Sequence, residues 1–177
     1  MYPLSRDHLV SLHALEVLRL IADRVERHEA VDIEDVRFVF RFLNEVAHGC
    51  LDNTEQLLLR PALAKAAAAD HSGHLGATLV NHKHVRRLFG ELVGKVDTTV
   101  TEEFVILSRA YTGLLTDLLF DEERFLPDLV RSVFTETENR QKLEEFELSG
   151  RGIGEFARQH GQTIHRLQLK YISPHCI

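Results

Sequence analysis

Apolar residues recur at three- and four-residue steps along almost the whole chain, which is the spacing of helices that each bury one stripe. A first stripe covers residues 4–22, and Asp32 then offers a capping side chain for a second helix. The second stripe covers residues 36–58, and Pro61 interrupts it, so we expect a kink or a fresh start there. No segment alternates apolar and polar residues over more than a few positions. The sequence therefore predicts an all-α protein.

Two further stripes cover residues 75–89 and 104–129, with Gly94 as a stop between them and a capping box at residues 99–102. Four helices joined by short loops favour an up-down-up-down four-helix bundle over residues 1–130, followed by additional C-terminal helices over residues 131–177.

The C-terminal extension opens with a second capping box at residues 135–138, and residues 149–152 should break the helix that this box begins. A last amphipathic helix follows. We expect the extension either to pack on the bundle or to mediate dimerisation.

Composition narrows the class of protein. The formal net charge is -6 in 177 residues, which does not suit nucleic acid as a partner. No apolar run approaches the length of a membrane span. Cys50 and Cys176 are too few and too far apart for a disulfide framework, so we expect a cytoplasmic protein with reduced thiols.

Polar residues that fall on the apolar stripes are the candidates for chemistry. At about 100° per residue, His8 lies on the buried side of the first helix, and His74 and His82 share the buried side of the third. His13 and His84 should face water. The other helices contribute inward or flanking candidates: His48, Glu55, Asp117 and Asp121.

An inward carboxylate costs free energy unless something compensates it, and facing imidazoles and carboxylates would be reconciled by a cation. That ligand mixture suits iron, manganese, zinc or cobalt more than calcium. The alternatives are ordinary: a single inward His is most often a core residue, and an inward Asp can pair with Arg86 or Arg124.

Four segments, in order and spacing, resemble the motifs of the hemerythrin-like family, the HHE cation-binding domains. They are Asp7 with His8, and residues 55–63, 81–86 and 121–127. The resemblance covers about residues 1–130. It implies a four-helix bundle around an interior site, typically two irons held by His and carboxylates.

Carried over residue by residue, the resemblance makes His8, Glu55 and His82 metal ligands, with Asp121 or Glu122 as the acidic ligand of the fourth helix. Three family His positions differ here, since they hold Leu51, Thr78 and Asp117. His48 or His74 would substitute if a helix were bulged.

Two functions lead on the sequence, and a third alternative is diiron-carboxylate oxidase or peroxidase chemistry in the same bundle. The first is a metal-binding protein with a mono- or dinuclear iron site, or another transition metal, that senses, stores or detoxifies, with a small diatomic or peroxide molecule as a further ligand. The second is a metal-free bundle that acts as a protein-interaction or regulatory module. No catalytic residue is predicted, and a homodimer is compatible with either function.

Overall fold

The computed structural model describes residues 4–66, 72–96 and 100–172. Helices hold 92% of these residues and no strand occurs among them, which confirms the all-α prediction. The five helices are α1 (Leu4–Glu26), α2 (residues 33–66), α3 (Ser72–Val93), α4 (Glu102–Val133) and α5 (Glu136–Ile172). None of these helices has the length and apolarity needed to cross a membrane.

Helix α2 passes through the expected interruption without ending. It consists of α-helical segments alternating with two wider π turns: Ile33–Leu43, the π turn Asn44–His48, Gly49–Thr54, the π turn Glu55–Leu59, and Arg60–Ala66. At the second π turn the Arg60 amide donates to the carbonyl of Glu55, five residues earlier. Pro61, which has no amide hydrogen to donate, follows directly. A π turn therefore takes the place of the break expected at Pro61.

Two predicted helix starts are confirmed. Asp32 accepts a hydrogen bond from the Glu34 amide at 3.0 Å and caps α2. Thr135 and Glu138 form a reciprocal capping box at the start of α5, with amide-to-side-chain distances of 2.9 and 3.4 Å. The box predicted at residues 99–102 includes Thr99, which lies outside the described residues.

The predicted break at residues 149–152 is wrong, because α5 runs without interruption over 37 residues. Glycine inside a helix costs about 1 kcal/mol relative to alanine, and tertiary packing offsets that cost here. A Cβ on Gly49 of α2 would lie 3.0 Å from Ile153 Cδ1 of α5, so the two helices approach closely at this point. Farther along α5, Ile164 and Leu167 are buried in the same core as α1 and α2.

The buried apolar side chains form two clusters. The larger one joins α1, α2, α3, α4 and α5, and the smaller one lies towards the C-terminal ends of α2 and α4 and the start of α5. Helix α1 packs mainly on α4 and α5, while α3 packs mainly on α4. Helix α5 is thus part of the main core rather than a separate appendage.

Candidate functional site

A layer of buried polar residues separates the two apolar clusters. On α2, Glu55 lies between Leu51 of the larger cluster and Leu58 of the smaller one. On α4, Glu122 lies in the same way between Leu119 and Leu126. The same division recurs on α3, where His82 stands between Leu75 of the smaller cluster and Val85 of the larger one, and His8 of α1 joins the layer.

Glu122 is the centre of this layer, because both neighbouring imidazoles turn their Nε2 atoms towards its carboxylate. His82 Nε2 is 2.7 Å from Glu122 Oε1, and His8 Nε2 is 3.6 Å from Glu122 Oε2. All three residues are at most 1% exposed. Two imidazoles from separate helices thus meet one carboxylate away from solvent.

The other nitrogen of each ring faces a second carboxylate. His8 Nδ1 is 3.3 Å from Glu123 Oε1, and His82 Nδ1 is 3.6 Å from Glu55 Oε2. Glu123 reaches solvent, since its side chain is 39% exposed, whereas Glu55 is buried. Each imidazole therefore lies between an inner carboxylate that both share and an outer carboxylate of its own.

Two arginines fix Glu55. Arg60 donates from Nε to Glu55 Oε1 at 2.9 Å, and Arg86 donates from Nη1 to Glu55 Oε2 at 2.8 Å. Burial alone would raise the pKa of Glu55, but the hydrogen bonds from Arg86 and Arg60 outweigh it and hold the pKa below its usual range. Glu55 is therefore a carboxylate whose two oxygens are already occupied.

Several nitrogen and oxygen atoms of the layer that could bind a metal make no hydrogen bond within the described residues. Both ring nitrogens of His8, Nδ1 of His82 and Oε2 of Glu122 are buried without a hydrogen-bond partner among the described residues. A buried polar atom left in this state costs about 1–3 kcal/mol. A cation between His8 Nε2 and Glu122 Oε2 would accept a lone pair from each, while the Nδ1 atoms of His8 and His82 face carboxylates that can accept hydrogen.

The spacing of the donors is compatible with a cation. With metal–nitrogen and metal–oxygen bonds of about 2.1 Å, two donors 3.6 Å apart subtend about 120° at the metal. As the side chains stand, no three His, Cys, Asp or Glu residues in the described ranges form a ready-made metal-binding group. The hydrogen bond between His82 and Glu122 would have to open before both could bind one ion.

Asp117 and Asp121 do not join the layer, because both are exposed. We expected them to point inward on a stripe that also held Leu114 and Phe125, but those two are only half-buried. The buried positions in this part of α4 include Tyr111, Leu115, Leu118, Glu122, Leu126 and Leu129. One residue corresponds to about 100° of helix rotation, so the stripe that contains Glu122 leaves Asp121 at the side.

His74 is also exposed, contrary to its expected inward position. The centroid of its ring lies 4.0 Å from the centroid of the Phe125 ring. His48, which we expected at the flank of its stripe, is buried and is hydrogen-bonded to Tyr111, with 3.0 Å between Nε2 and the hydroxyl oxygen. Burial, with a smaller contribution from the charge of Arg86, lowers the pKa of His48 to about 4. His48 is thus a neutral ring that already has a partner.

The remaining residues considered in the sequence lie outside the buried polar layer. His13 and His84 face water, as predicted. Leu51 is fully buried, and the Thr78 hydroxyl donates to the backbone carbonyl of His74. Sequence reasoning missed Glu123 as a neighbour of His8 and Arg60 as a partner of Glu55. The only signals were that Glu123 is next to Glu122 and that Arg60 lies in the same segment, residues 55–63, as Glu55.

Comparison with known proteins adds no identification. No protein-family model matches the sequence. Curated proteins gave no match, and solved structures gave none either. The hemerythrin-like resemblance therefore stays a prediction, and the argument for a site rests on the geometry of the buried layer.

Proposed function

We propose that this protein binds one transition-metal ion through His8, His82 and Glu122. The observation that carries the proposal is the convergence of two imidazole Nε2 atoms on one buried carboxylate. Two His and one carboxylate, with positions left open, form a ligand set typical of non-haem iron(II). Iron is accordingly the expected metal, and manganese or cobalt would suit the same donors.

The outer carboxylates support a metal site over an incidental polar cluster. A metal-bound His usually donates the hydrogen of its other ring nitrogen to a carboxylate or carbonyl, which fixes the ring and its tautomer. Glu123 stands at Nδ1 of His8 and Glu55 stands at Nδ1 of His82. Each ring therefore faces a carboxylate of the kind that orients a metal-bound His, at 3.3 Å for His8 and 3.6 Å for His82, distances that would have to shorten for a hydrogen bond.

Occupancy of the Glu55 oxygens favours one ion over two. Arg60 and Arg86 hold one oxygen each, so we do not count Glu55 as a ligand. Leu51 and the exposed Asp117 cannot supply the further ligands that a second ion would require. We therefore propose a mononuclear version of the hemerythrin-like site, in a protein that binds metal for sensing, storage or detoxification.

Metal stoichiometry tests the proposal. The purified protein is stripped with chelator, exposed to iron(II) without oxygen, desalted and measured by elemental analysis. We expect about one equivalent in the wild type, a loss of most of it in His82→Ala and Glu122→Gln, and no change in the matched control His84→Ala, whose ring is exposed. Far-ultraviolet circular dichroism verifies that each variant is folded.

A second candidate has its own supporting observation. The hydrogen bond of 2.7 Å between His82 and Glu122 joins two of the proposed ligands without a metal, which is compatible with a metal-free interaction or regulatory module. The same experiment, repeated with manganese(II) and cobalt(II), separates the two: a wild type with well under one equivalent of each of the three metals supports the metal-free module. Bound metal that is unaffected by His82→Ala would refute the residue assignment.

A further inference from the structure

His8 is the least constrained member of the buried layer. Neither of its ring nitrogens has a hydrogen-bond partner in the part of the chain that the structure describes, although the residue is only 1% exposed. His82 and Glu55, in contrast, are fixed by hydrogen bonds of 2.7 to 2.9 Å. The ring of His8 therefore depends on the carboxylates facing it for the choice of which nitrogen carries hydrogen.

Those two carboxylates are not equivalent. A neutral imidazole has one nitrogen that donates and one that accepts. Glu122 is hydrogen-bonded to His82 through Oε1, and its other oxygen, Oε2, lies 3.6 Å from His8 Nε2, which is too far for a hydrogen bond. Glu123 is 3.3 Å from Nδ1, has no other ion pair or hydrogen bond among the described residues, and extends to solvent, so its side chain is free to close the remaining distance.

We infer that Glu123 is a positioning residue, which holds His8 in the tautomer with hydrogen on Nδ1 and so turns the Nε2 lone pair towards Glu122. The inference rests on the proposed metal site. In this tautomer His8 presents its Nε2 lone pair as the third metal-binding atom, beside His82 and Glu122. The tautomer also explains the gap between His8 and Glu122, because a nitrogen lone pair and a carboxylate oxygen repel each other across it until a cation lies between them.

Nuclear magnetic resonance of the metal-free protein tests the tautomer directly. Long-range proton–nitrogen correlation of the labelled imidazoles distinguishes hydrogen on Nδ1 from hydrogen on Nε2, and the signals of His8 are assigned by their loss in His8→Gln. We expect hydrogen on Nδ1 in the wild type, a mixed or reversed tautomer in Glu123→Ala, and recovery in Glu123→Gln, which keeps an acceptor oxygen. Asp117→Ala, an exposed acid on the same helix, is the matched control and should leave the signals unchanged.

A cobalt(II) titration followed by visible absorption measures the consequence for binding. Loss of an outer partner typically weakens metal affinity about 10- to 100-fold, so we expect Kd to rise by that factor in Glu123→Ala and much less in Glu123→Gln. A wild-type ring with hydrogen on Nε2 or on both nitrogens, or a tautomer unaffected by Glu123→Ala, would overturn the inference. The tautomer is measured without metal, so a wild type that binds no cobalt or iron would refute the metal site and leave the role of Glu123 to be decided by the resonance data.

Discussion

Replacement of Arg86 with methionine is the sharpest test of how the buried layer is held together. Arg86 donates from Nη1 to Glu55 at 2.8 Å and from Nη2 to Asp52 at 2.5 Å. The contact with the exposed Asp52 is worth little, since surface ion pairs contribute about 0–1 kcal/mol. Most of the effect should therefore come from the loss of a charged hydrogen bond to the buried Glu55.

The loss of stability expected in Arg86→Met depends on the hydrogen bonds that Glu55 keeps. Removal of the whole partner of a buried charge costs about 3–5 kcal/mol. Arg60 still holds the other oxygen of Glu55, and a single hydrogen bond to a charged group is worth about 1.5–3 kcal/mol. We expect Arg86→Met to lower the free energy of unfolding by about 2 kcal/mol at pH 7. The matched control is Arg87→Met, which removes an exposed pair with Glu91 and should cost about 0.5 kcal/mol or less.

The stability difference between wild type and Arg86→Met should decrease as the pH falls. The folded-state pKa of Glu55 is lowered, so its ion pair stabilises the fold fully above the unfolded-state pKa, and this stabilisation is lost as pH falls through the folded value. The difference between wild type and Arg86→Met should thus be largest at pH 7 and should shrink at pH values below about 4. Urea unfolding of metal-free protein, followed by circular dichroism from pH 7 to about pH 3.5, measures it. Equal effects of Arg86→Met and Arg87→Met, or a difference that does not fall with pH, would refute the reasoning.

Two further predictions concern residues away from the layer. In a proton resonance titration the His48 ring should stay neutral until about pH 4, because burial lowers its pKa, and a midpoint above pH 6 would contradict the packing around it. Gly152→Ala should raise the free energy of unfolding by about 0.5–1 kcal/mol in urea, because the position is exposed within α5 and a Cβ there meets nothing within 4 Å. Gly49→Ala, whose Cβ would lie 3.0 Å from Ile153 Cδ1, should gain less, and equal gains would argue against the close contact of α2 with α5.

Periodicity predicted the helices because each buries a stripe whose spacing is visible in the chain. The second stripe, from Val36 to Leu58, is buried at every position we expected. The failures came where tertiary packing overrides local preference. Pro61 is accommodated by a π turn, and the glycine-rich residues 149–152 remain helical because α5 continues along the core. Neither outcome is encoded in the propensities of those residues alone.

The candidate site was harder to predict than the helices, because a helical face tolerates less error than a helical boundary. His8, Glu55 and His82 were placed inward and are buried together. On α4, the choice between Asp121 and Glu122 turned on a single residue, and the burial of Leu115 and Leu118 selects Glu122. The pairing of His48 with Tyr111 and of Glu55 with two arginines depends on contacts between helices, which a single sequence does not specify.

The energetics of the layer argue that it is more than a structural pairing. A buried ionic cluster is often no more stable than apolar side chains of similar volume, and incomplete hydrogen bonding makes it worse. Here the cluster divides an otherwise continuous core, and Leu51 shows that an apolar side chain fits the same part of α2. Among the described residues, His8 Nε2 and Glu122 Oε2 lack hydrogen-bond partners and face each other at 3.6 Å, and His82 Nε2 approaches the same carboxylate. Buried polar side chains that lack full hydrogen bonding and point towards one another from separate helices are typical of a binding site. His8, His82 and Glu122 have the nitrogen and oxygen atoms that a metal ion binds.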